Sequence, residues 1–443
     1  MKLKWMITLA LLVGFTSAFA QSKTNNIEFT KYTLDNGLKV ILHQDNSTPI
    51  VAVSVMYHVG SKNENPERTG FAHFFEHLLF EGSENIGRGE YDRYVQNAGG
   101  ALNANTTQDR TFYFEILPSN QLELGLWLES ERMLHAKVDE EGIETQREVV
   151  KEEKRQRYDN QPYGSILKET LSRAFTEHPY RWDPIGSMEH LDAATEEDYK
   201  QFYAEFYVPN NAILSIAGDI DIEQTKAWIE QYFGSIPKGE GDIYRPDIVE
   251  PPLSGEVRDT VRDNIQLPAV IQAYRIPAQG TDDYYAVNML GTLLSQGESS
   301  RLYKALVDEQ QKALFIGNFP LPSEDPGIAI VFGITNMGVN PQELEEALDA
   351  EIEKVKEELI SEREFQKLRN QVESSFISSN STVAGIAESL ANYEMYFGDA
   401  NLINTEIERF MKVTREDIRE AARKYYSKDN RVVLYYLPKS PQP

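Results

Sequence analysis

In a chain of 443 residues with only seven histidines, two of them stand four positions apart with a carboxylate directly before the second: His73-Phe74-Phe75-Glu76-His77. Positions four apart on a helix lie one turn above each other, so the two imidazoles can aim at one point, with Glu76 beside it. Two imidazoles supply two ligands to a zinc ion, which needs at least a third protein ligand and keeps a further position for water in a catalytic site. The chain has no cysteine, so any metal site must rest on nitrogen and oxygen donors. His43, His58, His135, His178 and His190 lack paired spacing and read as surface or core residues.

The element that positions the motif is a helix. Phe71, Phe74, Phe75, Leu78 and Leu79 fall at helical spacing as a buried stripe, His73, Glu76, His77 and Phe80 form a second face, and Gly82 can end the helix. The best place for a third ligand is the long polar helix DEEGIETQREVVKEEKRQRYDNQPYG, which begins at Asp139. At about 100° per residue, Ile143, Val149 and Val150 define its apolar face; Gln146 and Glu153 project within about 20° of the centre of that face, and Glu152 points away. A carboxylate in a buried stripe is costly unless a cation compensates it. Glu153 therefore either pairs with a basic residue or ligates the metal.

The length exceeds what one hydrophobic core usually serves, so two or more domains are expected. Residues 1–20 read as a secretory signal: Lys2 and Lys4, an apolar run from Trp5 to Phe15, then Ala18-Phe19-Ala20. That run is too short to span a bilayer, and no later segment approaches a span, so a periplasmic or secreted protein without a stable membrane anchor is expected. Without the two signal lysines, 42 basic residues face 70 acidic ones, a net charge of -28. Nucleic acid is excluded as a natural partner on that ground. Solubility explains the acidity, with a preference for cationic peptides as the sharper alternative.

Residues 236–257, rich in Pro, Gly and charge, divide the chain as a linker between a segment spanning 24–235 and one spanning 258–443. The segment from Thr195 aligns without gaps with that from Thr414 at an offset of 219, so that Thr195, Asp198, Tyr207 and Asn211 meet Thr414, Asp417, Tyr426 and Asn430. Each copy reads as a Thr-capped amphipathic helix followed by an apolar strand. LKVILHQ, VAVSVMYHV and TFYFEIL alternate as half-buried strands do, and AVIQAYRIP opens the second half in the same way. The expected fold is α+β: two duplicated domains, each a mostly antiparallel sheet covered by helices, closing on a clam-like chamber. Aligning the metal motif onto the second half sets His73, Glu76 and His77 against Asn288, Gly291 and Thr292, so the second domain is expected to be catalytically inactive.

HFFEH, QREVVKEEKRQRYDNQPYG, GALNANTTQDRTFYF, the SSRLY segment at Ser299 and the two-half organisation together resemble the inverted zincins of the pitrilysin family. The likeness is strongest to the branch that holds the mitochondrial processing peptidase β subunit and its bacterial relatives, and it covers nearly all of the chain after residue 20. The resemblance implies one Zn2+ per chain and a third ligand about 76 positions after the second histidine, which falls on Glu153. It also implies metal-assisted hydrolysis of peptides or unfolded polypeptides without a covalent intermediate, with Glu76 carrying the proton from water to the leaving amine. The family's substrate adds as a strand to a sheet edge; GALNANT matches that edge, and Asn103, Ala104 and Thr106 are the implied contacts. Read unaided, the same residues are a turn leading into a strand.

The sequence also departs from the family pattern. Active single-chain relatives carry an Arg and a Tyr seven apart in the second half, and Val307 and Leu314 stand at those places; Arg301 and Tyr303 lie nearby at a different spacing. Neither Val307 nor Leu314 offers a side-chain hydrogen bond to a developing oxyanion. An accessory acidic position two turns before Glu153 is Gln146. These departures lead to the expectation of a zinc-bearing endopeptidase subunit whose homologous partner, in a heterodimer or homodimer, supplies the Arg/Tyr pair. The alternatives are a non-catalytic scaffold and a metal-binding subunit of an exported complex.

Overall fold

The computed structural model describes residues 26–439, so the signal reading of residues 1–20 lies outside the described residues. The chain forms eleven strands in two sheets among the described residues. In the first half these are β1 (Thr30–Thr33), β2 (Lys39–Gln44), β3 (Ile50–Tyr57), β4 (Ala101–Thr106), β5 (Thr111–Pro118) and β6 (Ala212–Gly218), in the order β1-β2-β6-β3-β5-β4. The second half contributes β7 (Val257–Asp263), β8 (Ala269–Arg275), β9 (Ala313–Leu321), β10 (Ile328–Thr335) and β11 (Arg431–Pro438), in the order β7-β11-β8-β10-β9. All pairings are antiparallel except β2 with β6 and β11 with β7.

The duplication is visible in detail. Helices Glu196–Phe206 and Arg415–Tyr425 each begin in a reciprocal capping box, Thr195 with Asp198 and Thr414 with Asp417, and each leads into a central strand, β6 or β11. Such a box satisfies two backbone N–H groups that the first helical turn leaves unpaired. No helix or strand forms between Phe233 and Val257. No helix of the described residues is long and apolar enough to cross a membrane.

Two of the half-buried strands expected from alternation are corrected by the structure: β3 and β8 are buried on both faces, as is the apolar strand β6. Helices of the first half cover one face of the first sheet, and helix Val383–Phe397 of the second half covers the other, with Val383, Ile386, Ala387, Leu390 and Ala391 against Ile41, Ala52, Met56, Ile213 and Ala217. The exchange is reciprocal. Helix Ile166–Ala174 of the first half packs Leu171 and Ala174 onto the second sheet against Ile271, Ala273, Val432 and Leu434. A strand covered twice has no polar side to write into its sequence.

A buried polar cluster joins the halves as well. The Lys62 ammonium, 5% exposed, lies 3.1 Å from Asp109, 3.2 Å from Asp325 and against Glu324, the last two in the β9–β10 turn. His58 Nε2 is 2.9 Å from the same Glu324 carboxylate.

Candidate metal centre

The motif helix runs from Phe71 to Leu78, and its buried residues are Phe71, Ala72, Phe74, Phe75 and Leu78. Phe71 stacks on Tyr199 at 4.6 Å and Phe75 on Phe202 at 5.4 Å, which pins the apolar stripe to helix Glu196–Phe206. The helix ends one turn before the expected Gly82 stop, so Phe80 lies beyond it. There the Phe80 ring packs on the buried Arg132 guanidinium instead of extending the polar face.

Both ends of this helix are tied down by residues that periodicity does not reveal. At the start, Gly70 takes φ 98°, a left-handed conformation, and lies so close to Gly186 that a Cβ on Gly186 would fall 2.3 Å from the Gly70 nitrogen. With no side chain at the cap position, the buried Glu64 carboxylate accepts from Gly70 N–H and Ala72 N–H, each at 2.9 Å. At the far end, Arg132 Nη1 donates to the Leu79 carbonyl at 2.8 Å and the Tyr113 hydroxyl to the Phe75 carbonyl at 2.9 Å. These contacts satisfy carbonyls and N–H groups that a short helix leaves open.

Helix Glu140–Lys154, capped by Asp139 accepting from Gly142 N–H, crosses the motif helix and delivers the third candidate ligand, the Glu153 carboxylate. Ile143 and Val150 are buried as expected, whereas Val149 is 43% exposed, because the buried stripe is narrower than the 100° reading allowed. His73, His77 and Glu153 are brought together, with one potential ligand atom of each within 4.8 Å of the others. Glu153 Oε2 lies 3.1 Å from His77 Nε2 and 3.5 Å from His73 Nε2. Tetrahedral zinc ligands bonded at ~2.0–2.1 Å sit about 3.4 Å apart, so these separations suit zinc. Glu153 Oε2 is buried and makes no hydrogen bond, which is the state expected of an atom shaped for a cation.

The electrostatics favour the forms that a metal requires. Burial, with His77 beside it, pushes the His73 imidazole down to about 4, so it is neutral at neutral pH. Contact with the His77 imidazole holds Glu153 below the usual carboxylate range despite burial. Metal ligands bind in these deprotonated forms. Burial raises Glu76, opposed by the nearby Thr106 hydroxyl, which makes it a better proton acceptor than an exposed glutamate. The His73, His77 and Glu153 side chains keep 12%, 25% and 14% of their exposure, so solvent reaches the cluster.

The other residues expected in the site separate into two groups. Asn103, Ala104 and Thr106 lie on β4, the open edge of the first sheet; Thr106 adjoins Glu76, and the Ala104 N–H is held by the Asn103 side chain at 2.9 Å. Gln146 contacts the Glu81 carboxylate at 2.5 Å, and Glu81 also pairs with Arg88. Leu314 is 60% exposed on β9 and Val307 lies in the helical segment Tyr303–Glu309 before it, and neither side chain carries a donor.

The chain is similar to known proteins along most of its length. A family model described as Insulinase (Peptidase family M16) matches residues 39–182, the half that holds the cluster, and a second, Peptidase M16 inactive domain, matches residues 193–372. The zinc protease PqqE of Helicobacter pylori is 31% identical over 409 residues, 92% of each chain. The uncharacterized zinc protease YmxG of Bacillus subtilis is 25% identical over 409 residues, 91% of this chain and 97% of that one. The crystal structure of a protease from Helicobacter pylori superposes with a TM-score of 0.89 at 30% identity, covering 93% of this chain and 100% of that chain. A putative M16-like peptidase from Alicyclobacillus acidocaldarius shares the fold at a TM-score of 0.80 and 22% identity, over 93% of this chain and 98% of that chain. Two matched family models in tandem, with a relative aligned along nearly the whole length, establish that the chain belongs to peptidase family M16, the insulinase or pitrilysin family of inverted zincins.

Proposed function

We propose that the chain is an exported zinc endopeptidase acting on peptides or unfolded polypeptides in a chamber closed by its two halves. The observation that carries this reading is the convergence of His73, His77 and Glu153 on one point with Glu76, a half-buried carboxylate outside the ligand set, beside them. When bound, zinc supplies Lewis acidity toward a peptide carbonyl and brings the pKa of a water ligand down to about 7. Glu76 accepts the proton of the attacking water and returns it to the amine that leaves. The β4 edge holds an extended substrate by main-chain pairing at Asn103, Ala104 and Thr106, reading shape ahead of side-chain identity. For a peptide to pair there, the Asn103 side chain must release the Ala104 N–H.

The chain supplies no Arg/Tyr donor pair at Val307 and Leu314, and this supports a split site completed by a homologous partner subunit or a second copy. The same absence favours the rival reading, a scaffold or metal-binding subunit. Cleavage of a quenched fluorescent peptide library by the zinc-loaded chain, with and without a co-purifying homologue and with Glu76→Gln as control, separates the two. Activity lost in Glu76→Gln supports the peptidase, and activity that appears only with the homologue supports the split site. Stoichiometric zinc without cleavage in either condition assigns the scaffold or metal-binding role.

A further inference from the structure

The cations around Glu153 are almost all committed elsewhere. Lys151 pairs with Asp192 at 2.5 Å, Lys154 with Asp159 at 2.6 Å and Arg155 with Glu152 at 3.1 Å. Arg157 alone turns to the metal cluster, with Nη1 2.7 Å from Glu153 Oε1. It lies in Arg155–Asp159, where the helix widens to a π turn directly after the glutamate, closed by Asn160 N–H on the Arg155 carbonyl at 2.9 Å. Such widened turns recur at functional sites because they redirect side chains that a regular helix would place elsewhere.

The two oxygens of Glu153 therefore have different surroundings. Oε2 is buried, makes no hydrogen bond, and faces the two imidazoles; Oε1 faces a guanidinium. A free carboxylate rotates broadly about its last torsion and can present either oxygen, both, or neither. From this asymmetry we propose that Arg157 is a positioning residue of the metal centre: its ion pair with Oε1 fixes the Glu153 carboxylate so that Oε2 alone is presented to the ion. The proposal rests on the zinc reading above and adds a residue outside the ligand set to it. Arg157 is 74% exposed, and an exposed i,i+4 pair contributes little to the stability of a fold, so the effect belongs to metal affinity.

The test compares wild type, Arg157→Ala and Arg157→Lys by zinc competition with a chromophoric chelator and by the visible spectrum of the Co2+-substituted protein. Loss of a group that orients a ligand weakens metal binding by about 10–100-fold, and this is expected for Arg157→Ala, with shifted cobalt bands. Arg157→Lys, which keeps the charge, should regain much of the affinity, and the thermal midpoint of the metal-free protein should stay unchanged in both variants. Zinc affinity of Arg157→Ala within about twofold of wild type, with an unchanged cobalt spectrum, overturns the proposal. A lowered metal-free midpoint with unchanged affinity also overturns it, by assigning Arg157 to the fold. A wild-type chain that binds neither Zn2+ nor Co2+ overturns the zinc reading itself.

Discussion

Glu76→Gln preserves the size of the side chain and removes its ability to take a proton. Loss of a general base costs about 10²–10⁴-fold in rate, so peptide cleavage should fall by that factor in whatever assembly is active, while metal analysis still finds one zinc per chain. Unchanged cleavage would move proton transfer to another group. Glu152 and Glu153 supply a paired control, because adjacent helix positions point about 100° apart. Glu153→Ala should abolish zinc binding and Glu152→Ala should leave it intact, as measured by chelator competition; the reverse result would place the third ligand elsewhere. These residues were legible in the sequence because a one-turn histidine pair and a carboxylate on an apolar stripe are local patterns. The stripe by itself left Glu153 open to pairing with a base, and the structure shows it facing both His77 and Arg157. The Thr106 contact with Glu76 arises from a strand meeting a helix, and only family resemblance pointed to that strand.

The eight-residue motif helix is too short to hold itself, and its anchors turn on two buried ionisable groups, Arg132 and Glu64. Arg132 is fully buried, 3.1 Å from Glu129 and 3.5 Å from Glu115, with the Phe80, Tyr91 and Tyr113 rings 4.3–4.5 Å from its guanidinium carbon. Arg132→Ala would strand two buried carboxyls and free the Leu79 carbonyl, so urea unfolding should show a loss of about 3–5 kcal/mol. Glu64 gives a pH signature. Burial pushes its carboxyl up to about 8, against the pull of the Gly70 and Ala72 N–H groups, so the folded chain holds a proton that the unfolded chain sheds near 4.5. That contribution to stability is complete below about pH 4.5 and is lost as pH rises to about 8. His73 acts in the opposite sense, losing stability as pH falls from 6.5 toward 4, and the variant shares it. In chelator-treated protein, wild type should therefore lose stability relative to Glu64→Gln as pH rises from about 5 to 8, with a level difference above. A difference independent of pH would show that Glu64 stays ionised at the helix start. No spacing rule marked Glu64 or Arg132, because each reaches the helix through a loop or a neighbouring helix and not along its own periodicity.

The repeat, its capping boxes and its paired central strands were legible at the scale of the whole chain, since a duplication writes itself twice. The exchange of helices between the halves was not, because an apolar helix stripe looks the same whichever sheet it covers. That exchange has a thermodynamic consequence. Leu390, fully buried in a helix of the second half, packs on the first sheet, and Leu171, fully buried in a helix of the first half, packs on the second. Neither sheet can keep both faces covered if the other half unfolds, and Lys62 adds a buried charge that loses its Glu324 and Asp325 partners on separation. The halves should therefore melt as one cooperative unit. Among the described residues the tryptophans are Trp127, Trp182 and Trp228, all in the first half, so fluorescence follows that half while far-UV circular dichroism follows both. The two midpoints should coincide in urea, and Leu390→Ala should lower both together by the ~2–5 kcal/mol typical of a core leucine, although Leu390 belongs to the half without tryptophan. Separate midpoints, or a dichroism shift without a matching fluorescence shift, would show that the halves fold independently and that the crossed helices only dock.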